Sequence, residues 1–270
     1  MIIEHEHAFM EKQEAWAQQE AIFKKMITQG MDVYLRSLPE YENAFVEGEQ
    51  TLCCMDEGIP KGDFRSAGSG ILVEGEERTV FIQSLKDAGV EHVTSHTGCG
   101  AAALYRELHG ITEQTVDEVA IAGAKKIAQE IGVPYGGHIE TLTRPKEFHQ
   151  ARVIYVDGTG HFNPSKVEGL LPGFVISRKF MSPSQAAFEV GIAIAIAFGH
   201  HGFAEKFTAE YPLILVALGD EEQEELSAVR LQQEIELAIQ HRSDTHAANR
   251  SRIRFDHAST PFESVFRQAA

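Results

Sequence analysis

Short apolar runs that close in glycine turns alternate along this chain with longer segments of helical pattern. That alternation narrows the folds open to it. Residues 51–55 run into Asp56 and Gly58, and residues 90–95 into the turn Gly98–Gly100. Residues 152–156 run into Asp157-Gly-Thr-Gly160, residues 173–180 are strand-like, and residues 212–218 end at Gly219. Between them, helical patterns cover residues 77–88 (stopped by Gly89), 101–108, and 115–131 (bounded by Gly132 and Pro134). Ser182-Pro-Ser-Gln185 reads as a capping box opening a helix over 183–198, and Asp220 caps a charged segment over 221–241. Strands joined by helices pair in parallel, so the expected fold is α/β, with a mixed, largely parallel β-sheet flanked by helices. In such a sheet the strand ends share one carboxyl edge, where ligands gather.

Residues 7–28 are rich in Glu, Gln, Lys and Ala, with Phe9, Trp16, Ile22, Phe23 and Met26 spaced through them. They read as an amphipathic arm that packs on a neighbouring subunit or on its own domain. The tail from Ser243, with Arg250, Arg252 and Arg254, reads as an extended arm. The sequence shows no internal repeat. Its 24 basic against 40 acidic residues give a net charge of −16, which disfavours nucleic acid and anionic membrane as partners. The first residues lack a basic and an apolar signal region, and the longest apolar run, 190–198, is too short to span a bilayer. Three cysteines, all before residue 100, argue against a disulfide framework and for a reducing cytoplasm.

Those cysteines carry the chemistry. Cys54, His96 and Cys99 form a ligand set suited to zinc, with a fourth tetrahedral position left for water. A two-residue gap lets His96 and Cys99 reach one ion from a single turn, and Gly98 and Gly100 ease that turn. Cys53 adjoins Cys54, and strand neighbours face opposite ways, so Cys53 belongs to the core. His200-His201 fits a helix end, Gly68-Ser-Gly70 lacks the rest of a phosphate loop, and Glu221 to Glu225 fit a solvated first turn.

Cys54-Met-Asp56, Arg65-Ser-Ala-Gly68 and His96-Thr-Gly-Cys99-Gly100, in this order, resemble the β-class carbonic anhydrases. That family has a Cys-x-Asp-x-Arg motif, an Arg-Asn-Ala-Gly segment and a His-x-x-Cys-Gly motif. Residues 153–160 are similar to its closing strand and turn, so the resemblance covers roughly residues 50 to 163. It implies a helical arm (1–48), a β-carbonic anhydrase-like zinc core (49–165), and a carboxyl-terminal extension without counterpart (166–270). It also implies a homodimer or higher oligomer.

The activity implied is reversible hydration of carbon dioxide to bicarbonate, with Cys54, His96 and Cys99 on Zn2+ and Asp56 orienting its hydroxide. Backbone amides near Gly98–Gly100 would steady the bicarbonate oxygens, and one of the 13 histidines would relay the proton. The chain departs from the family at Gly58, where the arginine that holds the aspartate off the metal is missing. Without a cation there, Asp56 is free either to swing in as a fourth ligand or to stay a hydrogen-bond acceptor, and Arg65 is the nearest downstream candidate to replace the missing charge. Two alternatives follow: a carbonyl sulfide or carbon disulfide hydrolase on the same site, or a non-catalytic zinc domain closed by Asp56.

Overall fold

In the computed structural model, residues 2–220, 222–240 and 248–260 are described, residues 2–8 by their backbone alone. The first sheet contains β1 (Thr51–Cys54), β2 (Phe64–Ser66), β3 (His92–His96) and β4 (Tyr135–Ile139) in the order β2-β1-β3-β4. The second contains β5 (Val153–Asp157), β6 (Gly173–Ile176), β7 (Leu213–Gly219) and β8 (Ile253–Ser259) in the order β6-β5-β7-β8. Every pairing among the described residues is parallel. The fold is therefore α/β, as expected, but with two four-stranded sheets in place of one.

The two sheets repeat one topology, which the sequence reading had not found. In each, the first strand is central, the second lies outside it, and the third and fourth follow on the other side. The register makes the positions comparable: Leu52 pairs with Phe64 and Val93, and Val153 pairs with Gly173 and Ile214. Moving along equal steps from these anchors, Tyr155 stands where Cys54 does and Ala217 where His96 does. At these two positions the second half thus carries no metal donor, and nothing in the letters reveals the repeat. The halves meet at their edges: Ser177 N donates to Arg65 O (2.9 Å), and Arg65 N donates to Ser177 Oγ (2.9 Å).

Helices α3 (Gly75–Asp87), α4 (Gly100–Leu108) and α5 (Val116–Ile131) belong to the first half, and α6 (Pro183–Phe198) and α7 (Ala228–Gln240) to the second. Alternate residues of β5 explain the layering. Ile154 and Val156 face a large core shared with the first sheet, while Val153 and Tyr155 face a second core under the arm. The arm is α1 (Ile2–Gln29) followed by α2 (Met31–Arg36), and it packs on its own chain through Phe23, Met26, Met31 and Leu35. Buried Arg152 pins it, its guanidinium 3.6 Å from the ring centroids of both Trp16 and Phe23.

Several boundaries move. A division at residue 165 cuts through the second sheet, because β5 is that sheet's central strand. The residues likened to a closing strand therefore start the second half. The tail read as an extended arm contributes β8, paired with β7 over seven residues; residues 243–247 of it lie outside the described set. So do residues 221 and 241, the ends of the charged helix, whose described part is a short 3₁₀ turn followed by α7. No helix among the described residues is long and apolar enough to cross a membrane.

Candidate metal centre

β1 and β3 are neighbours in register, with Leu52 opposite Val93, so their carboxyl ends bring Cys54 and His96 together. Past β3 the chain turns through Gly98, whose φ of 65° suits glycine, and places Cys99 at the N-cap of α4. Asp117, in the first turn of α5, braces that turn by accepting from Thr97 Oγ1 (2.9 Å) and Gly98 N (2.8 Å). The Gly98 amide is thus already committed, which removes it from the anion-binding role expected of it.

Cys54, His96 and Cys99 are buried, and their ligand atoms all lie within 4.8 Å of one another. The two sulfurs are 4.0 Å apart, close to the roughly 3.8 Å edge that two 2.3 Å zinc–sulfur bonds subtend in a tetrahedron. His96 Nδ1 is 3.0 Å from Thr97 O, which assigns the proton to that nitrogen. Its Nε2 is buried with no hydrogen-bond partner. A buried unpaired imidazole nitrogen beside two thiols has a physical reason if a cation occupies the space between them. The cluster is fit to bind a metal ion.

Without a cation the three groups share their protons among themselves, and a metal that binds must displace those protons. A hydrogen bond from Cys99 and the neighbouring His96 hold the Cys54 thiol well below its ordinary range, while that bond and burial raise Cys99. Burial opposes charge on His96, yet the Cys54 thiolate and Asp56 raise it to about 9. Cys53, facing the other way, is pushed up to about 12 by burial and stays a core thiol.

Asp56 is not among the three donors. Arg144 grips it in a fork, Nε to Oδ1 at 2.8 Å and Nη2 to Oδ2 at 2.7 Å, and Gly58 N adds a bond to Oδ1 at 2.7 Å. Burial pushes this carboxyl up, but the Arg144 bonds and nearby His149 hold it well below the carboxylate range. The expected fourth ligand is therefore tied back as an anion, and the reason is a cation from a distant loop. Arg65 does not fill that role. Its guanidinium donates to the carbonyls of Gly62, Cys54 and Ile59, so it knits the backbone after β1 and does not pair with Asp56.

Two further groups escaped the sequence reading. Glu57 accepts from His149 Nδ1 (2.9 Å) and from Gln150 N (2.8 Å). Arg144 and His149 line a cavity of about 520 Å³ with Gly98 and Gly100 at one side and Ile192 and Ile196 of α6 at another. His200 and His201, read as a helix end, stand on the rim of the same cavity. The only signal for Arg144 was indirect: the charge absent at Gly58 had to come from somewhere. The chain matches no protein-family model, no curated protein and no solved structure.

Proposed function

We propose that the protein is a zinc lyase that interconverts carbon dioxide and bicarbonate. The reading is supported above all by three donors converging while the nearby carboxylate is clamped away from them by Arg144. Cys54, His96 and Cys99 would hold the ion. Zinc bound there supplies Lewis acidity that makes a water nucleophilic near neutral pH.

The remaining steps belong to the chain. Asp56 is kept anionic by Arg144, and Oδ2 retains a lone pair beyond the one Arg144 occupies, so it can orient an attacking water. The cavity beside Arg144 and His149, with Ile192 and Ile196 on its wall, would take up a neutral linear molecule. His149 is the proton acceptor. Glu57 fixes its Nδ1–H and thereby leaves Nε2 as the base. Burial opposes its charging, but Glu57 and Asp56 raise its proton affinity, and His200 and His201 lie between the cavity and solvent.

Stopped-flow hydration of carbon dioxide by the zinc-loaded protein tests this. Catalysis above buffer that disappears in Cys99→Ser together with the bound zinc supports it. A fully loaded protein with no hydration at any pH contradicts it, and sulfide release from carbonyl sulfide or carbon disulfide alone would move the activity to those substrates. For His149→Ala, turnover at saturating substrate should fall roughly 10²-fold and return with imidazole buffer. An unchanged turnover would remove His149 from the mechanism.

A further inference from the structure

We infer that Glu189, on α6 of the second half, is a positioning residue for the metal centre that holds the Gly68 amide against the Cys54 sulfur. The inference rests on reading the three-donor cluster as a metal site. Glu189 is fully buried in a strongly apolar helix. Its hydrogen-bond donors are neutral: Ser66 Oγ to Oε1 (2.6 Å), Gln185 Nε2 to Oε1 (3.1 Å) and Ala67 N to Oε2 (2.8 Å). A carboxylate buried without a bonded cation is costly, so fold stability alone does not account for it. Gln185 reaches this carboxylate instead of returning to the Ser182 cap, which leaves the expected capping box half made.

What Glu189 holds is the start of a tight turn. Ser66 lies opposite Cys54 in the sheet, and the chain then turns through Ala67 to Gly68 (φ 58°, ψ 34°), whose N–H donates to Cys54 Sγ at 3.3 Å. Ser69, also left-handed, is fastened behind by its Oγ donating to Thr94 O at 2.6 Å. The turn is thus clamped at both ends, with its amide aimed at the sulfur. An amide donating to a thiolate draws electron density from it and reduces its donation to a cation. A centre with two thiolates benefits from this, because strong thiolate donation lowers the acidity of a metal. Burial, with the Cys54 charge adding to it, pushes the Glu189 carboxyl up to about 7. Protonated or not, it retains an oxygen that accepts from Ala67.

The test compares Glu189→Leu and Glu189→Gln in the full-length protein, loaded with zinc and separately with cobalt. Because the amide also stabilises the deprotonated sulfur, its loss makes zinc compete less well against protons at Cys54, and chelator competition near neutral pH should show zinc affinity about tenfold weaker in Glu189→Leu. Its sulfur-to-cobalt charge-transfer band should move to longer wavelength, and Glu189→Gln, which keeps an acceptor, should restore both. If Glu189→Leu is not recovered folded, Glu189→Asp replaces it, and the same two readings decide. A folded variant with lower thermal stability but unmoved affinity and band overturns the inference and leaves the metal reading intact. A wild-type protein that takes up neither metal overturns both.

Discussion

At Gly58 a Cβ would lie 2.6 Å from Arg144 Cγ and 3.0 Å from Asp56 Oδ1. The glycine and the distant arginine therefore fit together: the stem of Arg144 fills the space that a side chain at 58 would need. Breaking this pair leaves a buried carboxylate uncompensated, so Arg144→Met should cost about 3–5 kcal/mol in denaturant unfolding. Because the Asp56 carboxyl lies below its ordinary 3.8 in the folded chain, its stabilisation is present above that value and is lost as pH falls through the folded value. Asp56→Asn should accordingly flatten the acid limb of a plot of melting temperature against pH; an unchanged limb would mean the ion pair is not what acid breaks. The donors Cys54, His96 and Cys99 were legible because their spacing at strand ends is itself the chemistry. Arg144, Glu57–His149 and Asp117 were not, since a lone charge in a loop has no pattern until folding supplies its partner.

The turn after β2 shows how an element can be misread from its letters. Gly68-Ser-Gly70 resembles a fragment of a phosphate loop, yet in the structure it is the three-residue left-handed turn that presents an amide to Cys54. An added Cβ at Gly68 would meet Ile71 Cγ2 at 2.6 Å and Ala101 Cβ at 3.0 Å. Gly68→Ala should then lose about 1–3 kcal/mol through strain and crowding, with metal uptake falling alongside; a full-stability, fully loaded variant would show that the turn is not needed. Helices were the most legible elements. The α6 start at Ser182-Pro183 is as read, with Ser182 accepting from Gln185 N (3.2 Å). Thr115 caps α5 with a complete box through Glu118. The strands β2, β4 and β8 were missed for physical reasons. β2 is three residues long, β4 contains Gly136 and Gly137, and β8 carries Arg254, Asp256 and His257, so none shows a clean apolar run.

Across the whole molecule, two halves of one topology share a core and differ in chemistry. In the second, Tyr155 donates its hydroxyl to Leu171 O, and Asp157 closes its own turn by accepting from Thr159, Gly160 and Phe162. The second half therefore acts as a wall and a brace for the first, through α6, Glu189 and the cavity lining. One chain should bind one zinc ion at Cys54, His96 and Cys99; a stoichiometry of two by elemental analysis would point to the neighbouring Asp56, Glu57 and His149, whose ligand atoms also lie within 4.8 Å of one another. The repeated topology was invisible in the sequence because a parallel sheet constrains only apolarity along its strands, and β5 and β7 satisfy that with different residues from β1 and β3. The central claim concerns which atoms meet the ion, and X-ray absorption at the metal edge of the zinc-loaded protein reads that directly. The account predicts two sulfurs at about 2.3 Å, one imidazole nitrogen at about 2.0–2.1 Å and one light atom from solvent. A sphere without two sulfurs, or one in which carboxylate oxygen from Asp56→Asn-sensitive binding fills the fourth place, would contradict it.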